Sequence, residues 1–255
     1  MHCPKCHFEQ ADGGVECARC GVIFAKWKPV GEPVDVHVQS AAAVWPLPKE
    51  PAVSEPTAFA VAKAWLFVVE ESVNPFYFAG RALVWLGLAV WGWKFLSRPM
   101  DAEFLAGSFL HNINLPFHEG GHVLFSFFGW RFLHVLGGSL GQILMPLICA
   151  GAFLIQNRDA FGASVGLWWA AENFMDLAPY IGDARALDLP LLGGVTGKDV
   201  EDYHDWEYLL RHLGWLQYDQ AIARASYNIG RALMLAALLW GAYVLLLQYR
   251  NLDRS

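Results

Sequence analysis

The chain has 255 residues with a formal net charge of −6, and 55% of them are hydrophobic against 16% charged. Its mean hydropathy of +0.30 lies above that of ordinary soluble domains, so a membrane protein is expected. The basic residues are scattered, so no nucleic-acid-binding surface is expected. The N-terminus opens with cysteines and charges where a secretory signal would need an apolar core, and no signal peptide is expected there.

Residues 1 to 28, MHCPKCHFEQADGGVECARCGVIFAKWK, form the first expected unit. Cys3 and Cys6 make one C-x-x-C pair, Cys17 and Cys20 another, and Asp12, Gly13 and Gly14 between them suit a reversing turn. Two such pairs can set four thiolates tetrahedrally around a structural zinc ion, which would supply most of the folding free energy of so short a segment. Two disulfides are the alternative, disfavoured where no export signal accompanies the cysteines. The segment resembles a rubredoxin-like zinc ribbon. That resemblance implies a structural or adhesive role, with a protein partner, in a reducing compartment such as the cytoplasm.

Residues 29 to 57 carry Pro29, Pro33, Pro46, Pro48, Pro51 and Pro56 among alanines and valines, and predict an extended linker in which His37 is solvated. The remainder, residues 58 to 255, predicts an all-α polytopic membrane domain. Phe59 to Val69 is apolar but short and interrupted by Lys63, which suits an interfacial helix. Five later stretches are long enough to be transmembrane helices: Pro75 to Leu96, Phe104 to Phe128, Val135 to Ile155, Ala160 to Ile181 and Tyr227 to Tyr249. A cytoplasmic ribbon would leave Lys94, Arg98, Arg250 and Arg254 on the far side of the membrane, against the positive-inside tendency, so the orientation stays open.

The second of these spans contains LPFHEGGHVLF, with His111, Asn112 and Asn114 just before it. Such polar groups are costly in lipid and signal function. His118 and His122 lie one helical turn apart on one face and can hold an ion between them, with Glu119 placed to take a proton from an attacking water. Gly120 and Gly121 would let another backbone approach closely.

An H-E-x-x-H inside a membrane helix, followed by a later span with Asn, Pro and Asp, resembles the site-2 protease family of intramembrane zinc metalloproteases. The likeness extends over roughly residues 75 to 185. It implies one catalytic zinc ion, a membrane-protein or peptide substrate cleaved in or near the bilayer, and a location such as a bacterial inner membrane. It also implies a third ligand from the stretch ENFMDLAPYIGDAR, residues 172 to 185. Asp183, which follows a helix-breaking proline, is favoured there and Asp176 comes next. Glu172 and His204 are further candidates, and a charge pair with Arg185 or Arg81 is the alternative role for the acids. Asn173 and Gln142 are candidate catalytic donors to substrate or oxyanion, whereas Gly137, Gly138 and Gly141 suit helix packing. Glu201 to Leu216 predicts an amphipathic surface helix.

Two other functions compete with proteolysis. A membrane di-iron oxygenase would need several histidine clusters with adjacent pairs, and none of the nine histidines is adjacent to another. A non-catalytic scaffold with the ribbon as its binding module would have no use for Glu119 as a base.

Overall fold

The computed structural model describes residues 1–27 and 57–253. The chain divides into two units, Met1–Ser54 and Glu55–Ser255. Apart from Thr57, the segment expected as a linker lies outside the described residues, His37 with it.

In the first unit each C-x-x-C pair closes a tight turn. His7 N–H donates to Cys3 O and Gly21 N–H to Cys17 O, both at 2.9 Å. His7 and Gly21 take positive φ, at 57° and 66°, so that the chain reverses immediately after each pair. Isolated antiparallel bridges, His2 to Glu9 and Glu16 to Ile23, tie the arms of the two turns. The four Sγ atoms converge within 4.8 Å of one another and can hold a metal ion. Cys3 to Cys20 and Cys6 to Cys17 are each 3.7 Å apart, far beyond the roughly 2.05 Å of a disulfide, and all four cysteines are free.

The second unit is helical, with no strand among the described residues. Its helices are α1 (Ala58–Leu66), α2 (Pro75–Leu96), α3 (Ala102–Ala106), α4 (Phe109–Ser126), α5 (Arg131–Ile155), α6 (Ala160–Gly182), α7 (Asp205–Leu213) and α8 (Asp219–Arg250). Their starts follow ordinary capping chemistry: Thr57, Asn74, Asp101, Ser108 and Asp159 each accept a first-turn amide with a side-chain oxygen. The expected span from Phe104 to Phe128 is split. Gly107 ends α3 and Ser108 caps α4, so the H-E-x-x-H sequence sits near the middle of a shorter helix.

Two helices, Arg131–Ile155 and Leu216–Arg250, are long and apolar enough to cross a membrane by length and composition. The other expected spans form α2, α4 and α6, in which polar, charged and small residues lower the hydropathy. Helix α6 is the centre of the unit, with residues from Ala160 to Gly182 buried along its length. Phe95, Leu105, Trp168, Met175 and Met234 fill the core between α2, α3, α6 and α8.

Candidate metal centre

The centre begins with two helices in backbone contact. A Cβ at Gly121 would collide with the main chain of Gly137, one at Gly141 would lie 2.8 Å from Gly121 Cα, and one at Gly137 would lie 2.7 Å from Gly121 O. Only glycines at these positions allow α4 and α5 to pack antiparallel at this separation. Gly120 differs from the expectation, because its Cα faces open space. Gly138 lies under the histidines themselves: a Cβ there would sit 2.5 Å from His118 Nε2 and collide with His122 Nε2. Close packing of α4 on α5 therefore creates the space beside the two Nε2 atoms.

Both imidazoles are fixed from behind. His118 Nδ1 pairs with Gln142 Oε1 at 2.7 Å, and His122 Nδ1 with the His134 carbonyl at 2.9 Å. An amide or peptide oxygen can only accept, so both Nδ1 atoms carry the proton and both Nε2 lone pairs face the space over Gly138. Such partners fix the tautomer a metal requires, and losing one typically costs about 10- to 100-fold in metal affinity.

The third donor is Asp205. Its Oδ2 stands 2.9 Å from His118 Nε2 and 3.2 Å from His122 Nε2. Donor atoms of His118, His122 and Asp205 all lie within 4.8 Å of one another, a group that can hold a metal ion. Burial works against the charged form of the Asp205 carboxyl, and a cation shared with the two Nε2 lone pairs would favour it. Asp205 opens α7 immediately after its N-cap His204, where the helix dipole also favours a negative charge.

Asp205 is carried by a strap, residues 183 to 204, that leaves the end of α6 and returns over α4 and α5. Asp183 anchors its start, accepting the amides of Asp188 at 2.9 Å and Leu189 at 3.0 Å. His204 Nδ1 accepts the Glu207 amide, which leaves the proton on Nε2, 3.5 Å from Asp183 Oδ2. At the far end Asp202, at a φ of 59°, is paired with Arg131 at 3.1 Å and Arg211 at 2.6 Å. Tyr180 OH accepts the Asp205 amide at 2.9 Å, and Trp206 Nε1 donates to Ser139 Oγ at 3.1 Å. The metal-facing position of Asp205 is thus set from α5, α6 and α7 together.

The expectations for the third ligand are corrected by these contacts. Asp183 turns its carboxylate to the strap's own amides, away from the histidines. Asp176 is held by His111 Nδ1 at 2.9 Å and by Asn114 Nδ2 at 3.2 Å. Glu172, fully buried, takes the same Asn114 amide at 2.9 Å. His204 caps the helix that carries the ligand. Arg185 pairs with Asp219, and Arg81 with Asp159, so neither meets the acids expected as partners. Asn173 does not reach the centre either, because it is buried and donates to the Trp169 carbonyl of its own helix at 3.0 Å.

A cavity of about 750 Å³ opens on the three donors, and Glu119, exposed on α4, forms part of its wall. His111, Leu115, Gln142, Asp176 and Tyr180 line it as well, and the strap contributes Leu189 to Gly193. Gln142 Nε2 is buried and has no hydrogen-bond partner among the described residues. Comparison of the chain with protein-family models, curated proteins and solved structures finds no match.

Proposed function

We propose that this chain is an intramembrane zinc metallopeptidase that hydrolyses peptide bonds of membrane-protein substrates in or near the bilayer. The observation that carries this reading is the convergence of His118, His122 and Asp205 beside Glu119 on one cavity. Two imidazole nitrogens and a carboxylate oxygen, with the fourth side open to a cavity, are the donor set of a catalytic zinc site. Both histidines being held at Nδ1, and the space a Gly138 side chain would fill, fit an ion at the Nε2 atoms. A zinc ion held there would lower the pKa of a water and polarise the scissile carbonyl.

The chain's own groups account for the remaining chemistry. Glu119 accepts the proton of the attacking water as the carbon–oxygen bond forms, and returns it to the nitrogen as the carbon–nitrogen bond breaks. Gln142 holds His118 through Oε1 and presents Nε2 as a free donor for a substrate carbonyl. Tyr180 and the strap keep Asp205 in position.

Five membrane spans, α2, α4, α5, α6 and α8, are part of this proposal. Support comes from large apolar side chains left exposed around the bundle, among them Phe76 at 89%, Val123 at 73%, Leu239 at 72% and Phe127 at 93%. Surfaces so apolar are expected to meet lipid. The four-cysteine unit is read as a zinc ribbon for a protein partner, with a structural ion that all four thiolates saturate.

The test is Glu119→Gln in the full chain, with zinc content measured beside cleavage of co-expressed membrane proteins. Retained zinc with cleavage reduced about 10²- to 10⁴-fold, the usual share of a general base, is the expected result. Undiminished cleavage with zinc bound would overturn the assignment.

A further inference from the structure

The polar side chains under the cavity floor extend beyond the three donors and Glu119. Trp169 Nε1 donates to Asn114 Oδ1 at 2.9 Å, and Asn114 Nδ2 donates to Glu172 Oε2 at 2.9 Å and to Asp176 Oδ2 at 3.2 Å. Asp176 in turn takes His111 Nδ1 at 2.9 Å and 3.2 Å through its two oxygens. Asn114, Glu172 and Asp176 are buried; Asp176 and His111 line the cavity, and His111 has a third of its side chain exposed. A carboxylate cannot donate, so Nδ1 carries the proton toward Asp176 and Nε2 is the atom presented to the cavity. Two buried acids, an amide and an indole thus fix the orientation of one partly exposed imidazole.

Its position relative to the donors defines a second point of contact. His111, Leu115, Glu119 and His122 recur along one stripe of α4, with His118 beside them. His111 and His118 are two helical turns apart, roughly 10 Å along the axis at ~1.5 Å per residue. An extended peptide advances about 3.3 Å per residue, so that distance corresponds to about three residues. Leu115, between His111 and Glu119 on the stripe, and Leu105 of α3 also line the cavity and give it apolar wall.

Resting on the metallopeptidase reading, the geometry points to His111 as a substrate-positioning residue that hydrogen-bonds the main chain of an extended apolar peptide about three residues from the scissile bond. A peptide group offers both an N–H and a carbonyl, so Nε2 finds a partner there in either charge state. Asp176, Asn114 and Glu172 act through His111 by holding its ring.

The experiment uses the zinc-loaded full chain in detergent and hydroxamate-bearing leucine peptides of one to five residues, in two series that extend from the chelating group in opposite chain directions. Calorimetric affinities are expected to rise by roughly fivefold or more on reaching the third or fourth residue in one series, the yield of one added hydrogen bond. His111→Ala removes that step with zinc content and the affinity of the shortest compound unchanged, while His111→Gln, which keeps a polar tip and guards against misfolding, retains part of it. A step that survives in both variants, or its absence from both series in the unmodified chain, overturns the inference alone. Failure of even acetohydroxamate to bind the zinc-loaded chain overturns the metallopeptidase reading and this inference with it.

Discussion

Asp205 Oδ2 lies 2.9 Å from His118 Nε2 although the two residues are 87 positions apart in the chain. The contact brings the first residue of α7 onto the middle of α4, and it decides which acid completes the cluster. Asp205→Ala is therefore expected to weaken zinc binding at this centre by more than the roughly 100-fold that loss of an outer partner can cost. Asp183→Asn should leave the ion in place and instead loosen the strap, since its carboxylate serves the amides of Asp188 and Leu189. Metal analysis after dialysis against graded chelator distinguishes the two. Equal zinc loss in both variants would mean that Asp183 matters to the ion as much as Asp205 does.

The sequence made part of this legible. Helical periodicity alone places His118, Glu119 and His122 together, because neighbours one turn apart meet whatever surrounds them. Apolar runs likewise mark α2, α5, α6 and α8 to within a few residues, apart from the start of α8, which runs farther toward the N-terminus than its apolar stretch. The third donor was hidden for a physical reason. A search along the apolar spans finds Asp183 and Asp176, but the strap carries the chain out of α6 and back, and no local pattern records a return. One signal was present: His204 and Asp205 stand at the start of an amphipathic helix whose Leu209 and Leu210 are buried, so an acid there is carried inward with them. The break between α3 and α4 was also local, in Gly107 and Ser108, and was masked by the surrounding apolar residues.

Glycines on α4 and α5 give opposite signs for one substitution. In a helix interior, glycine to alanine gains up to about 1 kcal/mol from backbone entropy. Gly120 faces open space, so Gly120→Ala should stabilise the unit by roughly that amount. At Gly138 the added methyl meets His118 and His122, and overpacking of about 1–3 kcal/mol outweighs the gain. Gly138→Ala should therefore lower the melting temperature and displace zinc, whereas Gly120→Ala raises it with zinc retained. Thermal unfolding of both variants in one detergent, with metal content measured beside it, checks the pair; a stabilised Gly138→Ala that keeps its zinc would disprove the crowding argument.

The ionic clamp on the strap carries a pH dependence of definite sign. Arg211 and Arg131 hold the Asp202 carboxyl below its ordinary value. A depressed acid contributes stability that is fully present above the unfolded aspartate value, near 3.9, and is lost as pH falls through the lower folded value. Arg131 and Arg211 are about half exposed, so salt must screen the clamp appreciably. Amide exchange at Asp205 and Glu207, whose N–H groups donate to Tyr180 OH and His204 Nδ1, corrected for its intrinsic pH dependence, is thus expected to be constant from neutral pH to about 4 and to accelerate below it. Asp202→Asn should show the accelerated rate already at neutral pH, and 1 M salt should move the unmodified chain toward it. Because Asp202 stands three positions before Asp205 on the same strap, the variant should also release zinc several-fold faster, and an unchanged release rate would show that Tyr180 and Trp206 hold the ligand without the clamp.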